Sequence, residues 1–221
     1  YTLNGTQQFQ QDLFILENNP EFSLRARYSQ NRSLTQYATT DEQAYQSEQS
    51  LRIRWHLVQE ITSEIDVARN RDNLSAIGAS VNTPRQLTTD MFQSDLSYRP
   101  VQDIEAGWML TLKTTTDASV APNVSANKDY NNIHVTYSFT GRGQLRGEVE
   151  RDEVILGPTP LGYASSFQLT DGFSAGQTYI ARATFEYRVT ANVQASATYI
   201  GRLHESSLPV HTFQAEVRAL F

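Results

Sequence analysis

Between Leu51 and Val67 the chain alternates apolar and polar residues almost without interruption. Leu51, Ile53, Trp55, Leu57, Ile61, Ile65 and Val67 hold the odd positions, and Arg52, Arg54, His56, Glu60, Glu64 and Asp66 hold even ones. Successive side chains of a strand point to opposite faces, so this period makes one apolar face and one charged face. At helical spacing the same apolar residues would spread around the whole cylinder. The stretch 51–69 therefore predicts one continuous strand, roughly 60 Å long at about 3.3 Å per residue.

The same period returns along the chain. Phe9, Gln11, Leu13 and Ile15 share a parity, as do Phe22, Leu24, Ala26 and Tyr28, with a turn signal at Asn18-Asn19-Pro20 between them. Further alternating runs cover 92–98, 104–112, 133–139, 145–149, 179–187, 193–199 and 213–221. Residues 31–50 are polar, and fit either a loop or extensions of the flanking strands that turn near Thr39-Thr40-Asp41. Short turns fall at Pro100–Asp103, Thr140–Gly143 and Thr190–Asn192, whereas 70–90, 114–129, 154–177 and 203–210 suggest longer connections. Long and short connections in alternation are what an up-and-down meander with two unlike ends produces. The fold class expected is all-β, an antiparallel up-and-down β-barrel of about ten strands forming a single domain over 1–221. Alternation alone also suits a soluble sandwich with its apolar face inside. The loop rhythm favours a barrel with its apolar face outward in lipid.

Bulk properties agree. Mean hydropathy is −0.48 and charged residues make up 19%, as when inward polar residues dilute an outward apolar band. No run approaches the roughly 18 apolar residues of a membrane-spanning helix. The net charge of −6 gives no basic face, so no nucleic-acid partner is expected. The chain has no cysteine, which excludes disulfides, thiol catalysis and thiolate-bound metals.

The last strand completes the pattern: Phe213, Ala215, Val217, Ala219 and Phe221 share one parity and the chain stops on an aromatic ring. In this, and in the meander over 89–221, the chain resembles Gram-negative outer-membrane β-barrel proteins. The resemblance implies an outer-membrane location, a lipid bilayer around the barrel, and an assembly signal for the barrel-assembly machinery in those five residues. It implies no activity. The chain opens on Tyr1, which suits either removal of a leader or the C-terminal part of a larger barrel.

With the apolar parity in lipid, the other parity faces the lumen. Its charges include Arg52, Arg54, His56, Glu60, Glu64, Arg146, Glu148, Glu150, Arg182, Glu186, Arg188, Glu216 and Arg218. Both signs are interspersed, so the bland expectation is a lumen filled by ion pairs, and the alternative is a narrow polar pore. A structural or scaffold barrel, with a surface complex as one setting, is the leading expectation; a pore for small polar solutes is the second. A third, a hydrolase acting at the rim, would draw on His204-Glu205-Ser206-Ser207, but neighbours in sequence rarely converge as nucleophile and base. No catalytic, metal or cofactor residues are assigned. The connection 154–177 is apolar for a loop, with Leu161, Phe167, Leu169 and Phe173. It is expected either to fold over the barrel mouth or to dock another surface protein.

Overall fold

A computed structural model describes residues 2–36, 40–78, 85–139, 141–159 and 166–219. Eleven strands follow in order: β1 (Leu3–Ile15), β2 (Phe22–Gln36), β3 (Thr40–Val58), β4 (Ile61–Gly78), β5 (Arg85–Val101), β6 (Ile104–Asp117), β7 (Val124–Phe139), β8 (Gly143–Leu156), β9 (Gly176–Thr190), β10 (Val193–His204) and β11 (Val210–Ala219). A four-residue helix, α1 (Ser166–Leu169), lies in the β8–β9 connection. Each strand pairs antiparallel with its chain neighbours, so the sheet is an up-and-down meander without crossover. β1 and β11 are its edges and do not pair with each other among the described residues. With eleven antiparallel strands, both edges run in the same direction.

The structure corrects the expected long strand over 51–69. That stretch is a hairpin whose turn lies at Gln59-Glu60, with Arg52 opposite Asp66 and Ile53 opposite Ile65. Paired residues have the same parity, so the alternation runs through the turn unbroken and hides it. Glu60, expected inside, sits exposed in that turn. The expected long loops over 70–90 and 114–129 are largely strand: β4 reaches Gly78, β5 starts at Arg85, β6 reaches Asp117 and β7 starts at Val124. Likewise β2 and β3 extend into the polar stretch 31–50, leaving 37–39 outside the described residues. The turns after β1, β5, β7 and β9 fall where the sequence places them.

One sheet face is apolar only over the half next to the short turns. On β6 the band runs Ile104, Ala106, Trp108, Leu110, Leu112, and on β7 it runs Ile133, Val135, Tyr137, Phe139. Ile133 and Val149 are 57% and 56% exposed, which in water would leave a large apolar surface uncovered. Seven to nine residues in a strand tilted by about 40° reach roughly 20 Å, close to the lipid-facing band of a membrane barrel. Towards the long connections the same face turns polar at Gln49, Arg69, Asp90, Asn131 and Arg151. There Arg69 Nε donates to Asp90 Oδ1 at 2.5 Å.

The short-turn edge of the band is aromatic. Tyr137 and Phe139 meet edge-on with centroids 4.9 Å apart, and Phe139 also packs edge-on against Phe185 and Tyr187 at 6.0 and 6.4 Å. Rings on β7 reach rings on β9 because Gly143 of β8 lies between Phe139 and Tyr187 and has no side chain. A Cβ on Gly143 would lie 2.0 Å from the Glu186 carbonyl oxygen. Gly143→Ala should therefore destabilise the folded barrel by about 1–3 kcal/mol through backbone displacement. The midpoint of urea unfolding in detergent reads this out, while Gly147→Ala, which meets nothing within 4 Å, should leave the midpoint nearly unchanged.

Candidate functional site

The other face carries the ionisable groups, and cross-strand register brings them together. Asp12 accepts from Arg27 Nε at 2.9 Å and from Arg25 Nη2 at 3.2 Å. Arg52 Nη2 donates to Asp66 at 2.7 Å and its Nε lies 3.4 Å from Glu64. Across β7–β9, Arg182 bonds Glu150 and reaches Glu148 Oε1 at 3.3 Å, while Asn132 Nδ2 donates to the same Glu148 oxygen at 2.7 Å and Arg146 stands 3.5 Å from Glu148 Oε2. Opposite charges facing each other across a ladder are the expected polar filling of a barrel interior.

The remaining sequence-assigned charges fall on this face but join no common cluster. Arg54 and His56 follow Arg52 along β3, and His56 Nδ1 is buried without a hydrogen-bond partner. Glu186 lies on β9 and Arg188 at its end, where the Arg188 amide donates to the Arg142 carbonyl. Glu216 and Arg218 pair with each other along β11 at 2.6 Å. On the apolar face of β11, Phe213 and Val217 are 70% and 71% exposed, with Ala215 and Ala219 on the same parity. Phe221 lies outside the described residues.

In the β8–β9 connection, residues 166–175 fold back onto the polar face. Leu169 of α1 is buried against Leu87, Val124 and Ala126, with Val120 and Leu156 packed beside them. Asp171 accepts from Lys113 Nζ at 2.6 Å, and Lys128 Nζ stands 3.4 Å from the centre of the Phe173 ring. Gly172, at φ +79° in the turn after α1, lies beneath the Phe167 ring, where a Cβ would meet a ring carbon at 2.7 Å. Glycine adopts this left-handed conformation without strain. Val154 belongs to β8 rather than to the loop and is buried. Of the two expectations for this segment, folding over the barrel describes Leu169, whereas Phe167 stays 72% exposed.

Sequence patterning passes over Lys128 and Asp152 as site residues, and assigns Asp171 and Phe173 only to a loop. Lys128 falls inside a stretch taken for a loop, although its parity continues through Tyr130, Asn132 and His134; that continuity was the available signal. Tyr130 faces the interior with them, not the lipid. His204 Nδ1 is 2.8 Å from Thr178 Oγ1, and among the described residues no hydrogen bond joins His204 to Ser206.

The fold defines the class: an antiparallel up-and-down sheet of the kind that builds outer-membrane β-barrels. Solved structures similar to this chain include outer-membrane proteins. OmpT of Vibrio cholerae, folded in vitro, matches with a TM-score of 0.53 at 10% identity, covering 99% of this chain and 96% of that one. OmpT expressed in the outer membrane gives 0.52 at 9% identity over 99% and 97%. Its loop L8 deletion mutant gives 0.52 at 10% identity over 99% of both chains. No family model matches the sequence, and no curated protein sequence does.

Proposed function

We propose that this chain forms the wall of an outer-membrane channel for small polar solutes, narrowed by the inward segment 166–175. The observation carrying this reading is that loop, which lies on the charged face through Leu169, Asp171 and Phe173 instead of projecting from the rim. Sheet width supports it. Side chains fill a barrel of about eight strands, and a wider one leaves room inside. Eleven strands with edges running the same way close either through a parallel seam or through further strands, and both routes exceed eight. Steady single-channel steps in planar lipid bilayers are the expected result. A folded protein that leaves bilayers electrically silent would overturn the channel.

The second reading is a closed structural or scaffold barrel. The Arg146–Glu148–Arg182–Glu150 network favours it, since paired charges spanning β8 and β9 can block flow. Silent bilayers would favour this reading. In both readings the protein is not an enzyme: replacing His204 and Ser206 together with Ala should change no lipid or peptide hydrolysis by the purified barrel. The edge strand β11 would present Phe213, Ala215, Val217 and Ala219 to the barrel-assembly machinery, and the exposed Phe167 ring offers a contact for another surface protein.

A further inference from the structure

Behind the inward loop lies a second feature. A cavity of about 410 Å³ opens between Phe173 and Gly176, the inner face of β8–β10, and Leu208 of the β10–β11 connection. Its size is within the range of small-molecule sites, about 300–1,000 Å³. Asp152 lines it and is only 7% exposed. Its Oδ1 atom is buried without a hydrogen-bond partner, and Lys128 Nζ, the nearest cation, is 3.8 Å away, too far for a hydrogen bond. Lys128 balances the charge as an ion pair, but a buried carboxylate oxygen without a hydrogen bond is costly, and a ligand donor reaching it removes that cost. Arg202 lines the same cavity and is exposed, with no ion pair or hydrogen bond among the described residues. Phe173, Leu208 and Val210 supply an apolar wall.

We propose that this cavity binds a small zwitterion of amino-acid or dipeptide size. Its ammonium group would donate to Asp152 Oδ1, its carboxylate would lie on the Arg202 guanidinium, and its apolar side chain would rest against Phe173 and Leu208. A single anion would leave Asp152 Oδ1 without a hydrogen-bond donor, and a single cation would face Lys128 and Arg202 as like charges. Both charges on one ligand satisfy both walls. The site names the solute class of the proposed channel and rests on that reading only for transport. Binding is measured apart from conductance, so a silent barrel that still binds the zwitterion would separate the two.

The test is calorimetric titration of the full chain, folded in detergent, with leucine and alanyl-leucine, and in parallel with isovalerate and isoamylamine. The zwitterions should bind, and each singly charged analogue should bind at least about tenfold more weakly. Arg202→Gln, an exposed position, should weaken leucine binding about tenfold with unchanged heat-modifiable gel mobility. Asp152→Asn should do the same if it folds. No leucine binding, isovalerate binding as tight as leucine, or an Arg202→Gln protein that binds leucine like the parent would each overturn the site.

Discussion

Val135→Arg should cost the folded barrel about 2–4 kcal/mol in a lipid bilayer, the penalty of an arginine at the midplane of a barrel's lipid face. Val135 is 48% exposed, sits between Ala106 and Gly147 in its cross-strand row, and has only small neighbours to shield a guanidinium. Asn131→Arg, two rows towards the long connections on the same strand and face, should cost about 0–1 kcal/mol because the side chain reaches water. Guanidinium unfolding in vesicles measures both. The contrast between the positions is the informative quantity, since general strand propensity affects them alike. Equal penalties would mean that the apolar band does not mark the lipid.

That band was legible in the sequence because each strand keeps its apolar residues on one parity, which carries across the turns after β3, β5, β7 and β9. Arg52 opposite Asp66 and Thr136 opposite Arg146 each keep a polar group facing the interior on both strands of a hairpin. The same regularity hid the Gln59-Glu60 turn, because two residues without Gly or Pro interrupt neither parity. Strand lengths were misjudged for a different reason. Beyond the bilayer both faces of a strand meet water, so β4 from Arg69 to Gly78 and β2 from Gln30 to Gln36 carry polar residues on both parities and look like loops. Backbone pairing holds them in the sheet all the same, and Gln30 lies opposite Ser47 in the β2–β3 ladder.

Candidate-site residues were legible only as a set. Parity placed Glu148, Glu150 and Arg182 on one face, but which carboxylate meets which guanidinium depends on register between β8 and β9, where Glu148 lies opposite Arg182. Inward apolar residues were the clearest misfit. Val124, Ala126 and Val154 break the polar parity at the long-connection end. They are buried, with 0%, 3% and 3% exposure, and Leu169 packs on the first two. An apolar patch inside an otherwise charged interior thus signals a segment folded onto it.

Leu169→Ser should release that segment, and the absence of cysteine makes the release measurable. In an Ala126→Cys background the single thiol lies beneath Leu169, at a site 3% exposed in the parent. Reaction with a water-soluble maleimide should be slow and should accelerate at least about tenfold when Leu169→Ser is added, because protection reports the free energy of local opening. Magnitudes identify which anchor holds the loop. Burying a leucine contributes about 2 kcal/mol, whereas the Lys113–Asp171 pair, with side chains 23% and 42% exposed, contributes about 0–1 kcal/mol. Asp171→Asn alone should therefore raise the labelling rate only a few fold. If the loop narrows a channel, Leu169→Ser should also enlarge or destabilise the conductance steps. Fast labelling with unchanged conductance would detach the loop from the conducting path while leaving its docking intact, and unchanged labelling would show that Leu169 does not guard the inner face.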